Sequence, residues 1–129
     1  MINYLSYDEL VRINREVVGI SGDPHGVMIE SNLFHLLDTV ELKYDDRADA
    51  VLLKAAFMLD YLANKGHVFI EGNKRTAETA TILFLRMNGF LFEERDQKNL
   101  TAYVLKVARN EESLTSVFKW LKQRIKKTV

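Results

Sequence analysis

Residues 48–89 read ADAVLLKAAFMLDYLANKGHVFIEGNKRTAETATILFLRMNG and contain the strongest helical pattern of the chain. In its first part, apolar residues recur at intervals of three and four, which predicts a helix that Asp45 or Asp46 caps and that runs to Lys65. The same spacing predicts a second helix over residues 73–88, and a glycine follows each helix as a stop signal. Both helices are strongly apolar, so we expect them to pack together at the centre of a helical bundle.

Four further helices and a stub of strand complete the predicted fold. Ser6 followed by Glu9 has the spacing of a capping box and opens the first helix, which stops near Gly19. The other predicted elements are a loop over 19–26, a short helix over 30–40, an extended piece over 90–92, a charged turn over 93–98, and amphipathic helices over 100–107 and 113–125. The chain is therefore expected to be one all-α domain, a bundle of about six helices covering residues 1–129.

The composition is that of an ordinary globular protein. Of the 129 residues, 47% are hydrophobic and 28% are charged, so the chain can bury a core and is not intrinsically disordered. Eighteen Lys and Arg residues balance eighteen Asp and Glu residues, which argues against nucleic-acid binding by electrostatics alone. The lack of cysteine excludes disulfides and thiolate metal sites and fits a cytoplasmic protein. We expect neither a membrane span nor a signal peptide.

Basic residues crowd the last predicted helix. Cations are favourable near the C-terminal end of a helix because the helix dipole is negative there. We interpret the cluster as a solvated face, with a phosphate-binding patch as the alternative. Its members are Lys119, Lys122, Arg124, Lys126 and Lys127.

The junction between the two apolar helices carries the chemistry. Residues 67–75 contain a histidine, an acid, an amide, a lysine and an arginine, none of which core packing demands. Gly72 and Asn73 lie where a helix begins, so free backbone N–H groups and the positive end of the helix dipole predict an anion site. Lys74 and Arg75 add positive charge at the same point.

Two more side chains of the junction suit a reaction at that anion. Glu71 would repel a phosphate unless a cation lay between them, and Mg²⁺ is the usual cation. His67 is suited to taking a proton from an attacking hydroxyl group. Taken alone, each residue is also explained as an ordinary polar or charged side chain at the end of a helix. In combination, these residues predict phosphoryl or nucleotidyl transfer.

A family resemblance strengthens this interpretation. Residues 67–75, HVFIEGNKR, resemble the Fic signature H-x-F-x-[D/E]-[G/A]-N-x-R, which lies between two buried helices in that superfamily. Residues 73–77, NKRTA, and residues 84–89, FLRMNG, are similar to the Doc (death-on-curing) branch, whose members are toxins of toxin–antitoxin pairs. The resemblance covers most of the chain and implies a Fic/Doc-type bundle.

The resemblance also implies a role for each matching residue. His67 would be the general base for a target hydroxyl, and Glu71 would be the acid that binds Mg²⁺. Gly72 and Asn73 would supply the backbone of an anion hole, and Phe69 would hold the loop in the core. The implied phosphate ligands are Asn73, Lys74 and Arg75.

The implied activity is that of a kinase. In the Doc branch, the γ-phosphate of ATP moves to a threonine of elongation factor Tu, and translation is arrested. Lys74 agrees with Doc, because Fic adenylyltransferases usually have glycine there. Glu71 and Gly72 are closer to general Fic usage, since Doc has aspartate and alanine, so transfer of AMP stays open. The alternative from another class is a catalytically silent helical binding module, against which the intact motif argues.

The resemblance further implies a regulatory partner. Many Fic proteins carry an inhibitory helix with the motif [S/T]-x-x-x-E-[G/N], yet no Ser or Thr of this chain is followed four residues later by Glu. Doc toxins are instead controlled by a small Phd-type antitoxin, whose disordered tail folds onto the toxin as a helix. We therefore expect two protein partners, an antitoxin and a target such as elongation factor Tu, and neither a membrane nor direct nucleic-acid contact.

Overall fold

Six α-helices and two short strands form residues 1–128, the part of the chain that the computed structural model describes. The predicted all-α bundle is thereby confirmed. No helix within these residues is long and apolar enough to cross a membrane. In chain order, the elements are α1 (Tyr7–Gly19), α2 (Glu30–Leu42), α3 (Ala50–Asp60), a π turn (Tyr61–Lys65), α4 (Asn73–Met87), β1 (Phe90–Phe92), α5 (Glu94–Ala108), α6 (Leu114–Arg124) and β2 (Ile125–Lys127).

Helix α3 is the central helix, as its apolar circumference predicts. It contacts α2, α4, α5 and α6. Ala55, Ala56 and Leu59 are fully buried where these helices meet. The small alanine side chains let neighbouring helices approach closely, and Phe84 and Leu85 of α4 fill the core beside them. The α3–α4 pair thus forms a rigid frame for the loop that joins its two helices.

The predicted start of α3 is wrong. The helix begins at Ala50, and neither Asp45 nor Asp46 caps it. The reason is the fully buried Lys54, whose Nζ lies 2.7 Å from the carboxylate of Asp45 and donates to the carbonyls of Val40 and Glu41 at 2.5 and 3.1 Å. Asp45 is therefore held by a side chain within α3, and the segment before α3 stays irregular.

The last five residues of the predicted third helix are helical but wind as a π turn. Within this turn, Lys65 forms a salt bridge with Asp60, whose side chain is almost completely buried. The wider turn rotates the chain relative to an α-helix, and such π segments occur frequently at functional sites. Here the π turn leads directly into residues 66–72, the loop before α4.

The C-terminal region differs from prediction at two places. Residues 93–98 are not a turn, because Glu94 begins α5 and the acidic residues there favour the positive end of its dipole. The last helix ends at Arg124, and residues 125–127 form β2, which pairs antiparallel with β1 so that Phe92 lies opposite Ile125. The predicted extended piece over 90–92 therefore exists and has a partner.

Two of the five residues of the basic cluster at this end form ion pairs, and a third contacts an aromatic ring. Lys122 forms an ion pair with Asp49, and Lys126 forms one with Glu93. The guanidinium of Arg124 lies 4.3 Å from the centre of the Trp120 ring, a cation–π contact. These contacts favour the solvated face over a phosphate-binding patch.

Candidate active site

The loop over residues 66–72 is fixed by its own apolar side chains. Val68 and Phe69 are fully buried beneath it. The carboxamide of Asn73 then closes the loop, because its Oδ1 accepts from the N–H of Phe69 at 3.0 Å and its Nδ2 donates to the carbonyl of Phe69 at 2.9 Å. The side chain of Asn73 is thus committed to the loop, and its backbone N–H is the group that remains for an anion.

The start of α4 presents the backbone donors that the predicted anion site requires. Gly72 has a φ of 76°, and a Cβ atom at this position would lie 2.5 Å from Val18 Cγ2, so only glycine fits. The first hydrogen bond of the helix runs from the N–H of Thr76 to the carbonyl of Gly72 at 2.8 Å. The N–H groups of residues 73–75 consequently have no acceptor within the helix and point out of its N-terminus.

The predicted site residues surround one cavity. It has a volume of about 520 Å³ and contains all six residues of the predicted chemistry. Phe69, the seventh, lies below it in the core. Among residues 1–128, the cavity is lined by Ala63, Asn64, His67, Glu71, Gly72, Asn73, Lys74, Arg75 and Ala108.

Two cations lie at this cavity, and they are held differently. Lys74 is exposed, and its ammonium forms no ion pair or hydrogen bond with residues 1–128. Arg75 is tied to α1, because its Nη1 donates to the carbonyl of Val17 at 2.8 Å. This contact keeps the guanidinium beside Gly72 and the open end of α4. A phosphate at the helix end would therefore meet backbone donors and two cations.

Glu71 is the carboxylate that faces the same space. No other acid lines the cavity within the described residues 1–128, and no cluster of three metal-binding side chains exists among them. A single exposed carboxylate suits Mg²⁺, which keeps several waters and binds through one or two carboxylates together with phosphate oxygens. The donor set therefore fits a metal that arrives with a nucleotide rather than one held by the protein alone.

Several residues of the site could not be found from the motif. Asn14 of α1 is fully buried and donates from Nδ2 to the carbonyl of Glu71 at 2.8 Å and to Oγ1 of Thr76 at 3.1 Å. Its Oδ1 accepts from the N–H of Gly26 at 3.0 Å. The one signal in the sequence is a lone amide on the apolar face of a predicted helix. Ala108 gives no signal, because it reaches the cavity from the end of α5.

The segment after the predicted N-terminal loop borders the site as well. A short antiparallel bridge joins Val27 to Phe69, and the N–H of Ile70 donates to the carbonyl of Gly26 at 2.9 Å. The loop over 19–26 is therefore followed by backbone that pairs with the motif itself. The exposed side chains of Met28 and Ile70 lie at this edge.

Comparison with known proteins agrees with this geometry. Residues 4–85 match the Fic/DOC family, which is nearly two-thirds of the chain and includes the whole motif. The chain belongs to the Fic/DOC family. It is also similar to protein kinase doc of Escherichia phage P1, with 26% identity over 119 residues that cover 90% of each chain. The predicted membership of the Fic/Doc superfamily is thereby confirmed, and the similarity supports its Doc branch.

Proposed function

We propose that this Fic/DOC protein is a Doc-like toxin, a kinase that transfers the γ-phosphoryl group of ATP to a hydroxyl of a protein. The observation that carries the proposal is the single cavity that brings His67, Glu71, two cations and the open N-terminus of α4 together. The similarity to protein kinase doc supports phosphoryl transfer as the reaction. The target we propose is a threonine of elongation factor Tu in the cytoplasm, whose modification would arrest translation.

In this proposal His67 is the general base. Its imidazole takes the proton of the target hydroxyl, and the hydroxyl oxygen attacks the γ-phosphorus of ATP. The bond from that phosphorus to the oxygen of the β-phosphate breaks, and ADP leaves with the electron pair. For in-line displacement, the target hydroxyl beside His67 must lie on the side of the γ-phosphorus opposite to the leaving oxygen of the β-phosphate.

The phosphates of ATP would be held by the start of α4. The N–H groups of residues 73–75 donate to phosphate oxygens, and the charges of Lys74 and Arg75 offset the charge that develops on the leaving group. Glu71 would hold Mg²⁺, and the bound ion would supply positive charge that offsets the charge of the phosphates. Positioning and electrostatic stabilisation are the main contributions a protein makes to this reaction.

Regulation in trans follows from the same proposal. Residues 1–129 do not contain the inhibitory motif that many Fic proteins use, and the inhibition that we propose comes from a second protein. A Phd-type antitoxin, with a tail that folds onto the toxin, would supply the inhibition. In this proposal, the protein is the toxin of a toxin–antitoxin pair.

Transfer of AMP is the second candidate, because Glu71-Gly72 follows general Fic usage. Lys74 favours the kinase over this candidate, since its bulk and charge stand where an adenylyltransferase has a small residue. The two reactions differ in which phosphorus faces His67.

Labelled ATP distinguishes these reactions. The protein is incubated with elongation factor Tu, Mg²⁺ and ATP labelled at either the α- or the γ-phosphorus, and the target is then analysed by mass spectrometry. We expect label from γ-labelled ATP alone, a phosphate adduct on the target, and a loss of about 10²- to 10⁴-fold in rate for His67→Ala. Label from α-labelled ATP would establish AMP transfer instead, and label from neither would contradict transfer to elongation factor Tu.

A further inference from the structure

The backbone of His67 adopts a conformation that needs support. Its φ is 45°, in the left-handed region that residues with a Cβ atom rarely occupy. Such a conformation persists only when the surrounding structure holds it, and it occurs often at active sites. The Fic-like motif of residues 67–75 contains no group that holds the peptide on the N-terminal side of His67.

The peptide before His67 is held by Asn32 of α2. Asn32 Nδ2 donates to the carbonyl of Gly66 at 2.6 Å, and Gly66 itself is buried. The other side of Gly66 is covered by Tyr61, because a Cβ atom at Gly66 would lie 2.5 Å from the Tyr61 ring. The N–H of Gly66 donates to the carbonyl of Tyr61 at 2.7 Å.

Tyr61 completes a ring of contacts that returns to Asn32. Its hydroxyl donates to the carbonyl of Asn32 at 3.0 Å. Burial raises the pKa of Tyr61 above its ordinary value, so the phenol keeps the proton that this bond requires. Asn32, Tyr61 and Gly66 therefore fix one another, and the residue that emerges from this arrangement is His67.

The second peptide after His67, which joins Val68 to Phe69, is held by the same segment of chain. The carbonyl of Val68 accepts from the N–H of Met28 at 2.7 Å and from that of Ile29 at 3.2 Å. The N–H of Asn32 in turn donates to the carbonyl of Ile29 at 3.1 Å. Residues 28–32 thus bind carbonyl groups on both sides of His67, through the backbone on one side and through a side chain on the other.

We infer that Asn32 is a positioning residue for His67, acting through the carbonyl of Gly66 to keep the imidazole aimed into the cavity. Without its Nδ2, the buried carbonyl of Gly66 lacks its side-chain donor, and the Gly66–His67 peptide is free to rotate. Because the left-handed conformation costs energy, His67 then leaves it. Its side chain turns away from the target hydroxyl. This inference rests on the proposed role of His67 as the base.

Two variants of Asn32 test the inference. Asn32→Leu keeps the approximate shape but has no donor, and Asn32→Asp keeps the shape almost unchanged but presents an acceptor to the Gly66 carbonyl. We expect both to lower kcat for phosphoryl transfer about 10- to 100-fold while the KM for ATP stays within about twofold, because a displaced base affects the reaction and not the phosphate site. The matched control is Asn3→Leu, which removes the donor to the carbonyl of Met87 at the far end of α4.

A measurement independent of activity completes the test. The backbone torsion of His67, obtained from NMR chemical shifts, should leave the positive-φ region in the Asn32 variants and stay there in Asn3→Leu. This readout remains valid even if the wild-type protein transfers no phosphate, so failure of the proposed function and failure of this inference are distinguishable. Should Asn32→Leu not fold, the nearly isosteric Asn32→Asp carries the test.

A double-mutant cycle with His67→Ala separates positioning from general destabilisation. If Asn32 acts through His67, adding Asn32→Leu to His67→Ala causes no further loss of rate. Losses that multiply in the double variant, or an unchanged φ and kcat in both Asn32 variants, would overturn the inference.

Discussion

The carboxamide of Asn73 binds both backbone polar groups of Phe69, accepting at 3.0 Å and donating at 2.9 Å. Its side chain therefore closes the loop and is not free to reach a phosphate. The family resemblance implies a phosphate ligand at this position, and the group that fits that role is the backbone N–H of Asn73. Because Asn73 is the first residue of α4, this contact also links the buried anchor of the loop to the start of the helix.

Asn73→Asp should weaken both the fold and the reaction. The carboxylate keeps the bond from the N–H of Phe69 but loses the donor to its carbonyl, and it adds a negative charge beside the proposed anion site. We expect a loss of about 1–3 kcal/mol in the free energy of unfolding, measured with urea, and a higher KM for ATP. Asn3→Asp is the matched control, with unchanged KM. A KM equal to that of the wild type in Asn73→Asp would contradict a phosphate site at the start of α4.

Glu71→Gln should change the dependence of the reaction on Mg²⁺. The amide keeps the size of the side chain but removes the charge that attracts the metal. We expect the Mg²⁺ concentration for half-maximal rate to rise about tenfold or more, measured by titration at saturating ATP. Glu78→Gln, which alters a carboxylate on α4 that binds Thr101, is the control. Identical titrations for Glu71→Gln and the wild type would remove Glu71 from the metal site.

Much of the fold can be predicted because its helices are long and periodic. The bounds of α1 and α4 follow from a capping box and from glycines, which act locally. The predicted turn over 93–98 is wrong because acidic residues are common both in surface turns and at the N-terminal end of a helix. The sequence gives no sign of β2, because pairing with β1, and not the local sequence, makes residues 125–127 extended.

The residues of the site also divide into those that the sequence predicts and those that it does not. Its motif is continuous in the chain, so the sequence alone is enough to assign residues 67–75 to one site. It is not enough for Asn14 and Asn32, because their partners are backbone carbonyls of the loop, and these lie 57 and 34 residues away in the chain. Every residue has a backbone carbonyl, so the sequence does not show which carbonyl a distant side chain binds.

Lys54→Met should destabilise the fold without touching the cavity. The fully buried ammonium satisfies the carbonyls of Val40 and Glu41, which methionine leaves without a donor at the end of α2. We expect a loss of about 2–4 kcal/mol in the free energy of unfolding by urea. Lys122→Met, which breaks an exposed ion pair with Asp49, should cost less than about 1 kcal/mol. Equal stabilities for the two variants would mean that the buried lysine is not a helix cap.

Lys74→Gly tests what sets the orientation of the nucleotide. The lysine ammonium forms no pair with residues 1–128 and projects beside the open end of α4, so it is available to the outermost phosphate. If its bulk and charge place the γ-phosphorus at His67, removing them lets ATP lie in the opposite direction, as in an adenylyltransferase. We expect γ-label on the target to fall about 10- to 100-fold and α-label to appear. The label is counted on purified target with each labelled ATP, and Lys119→Gly, on the distant basic face, serves as control. A fall in γ-label with no α-label would mean that Lys74 binds phosphate without orienting the nucleotide, and orientation would then have to come from elsewhere in the cavity.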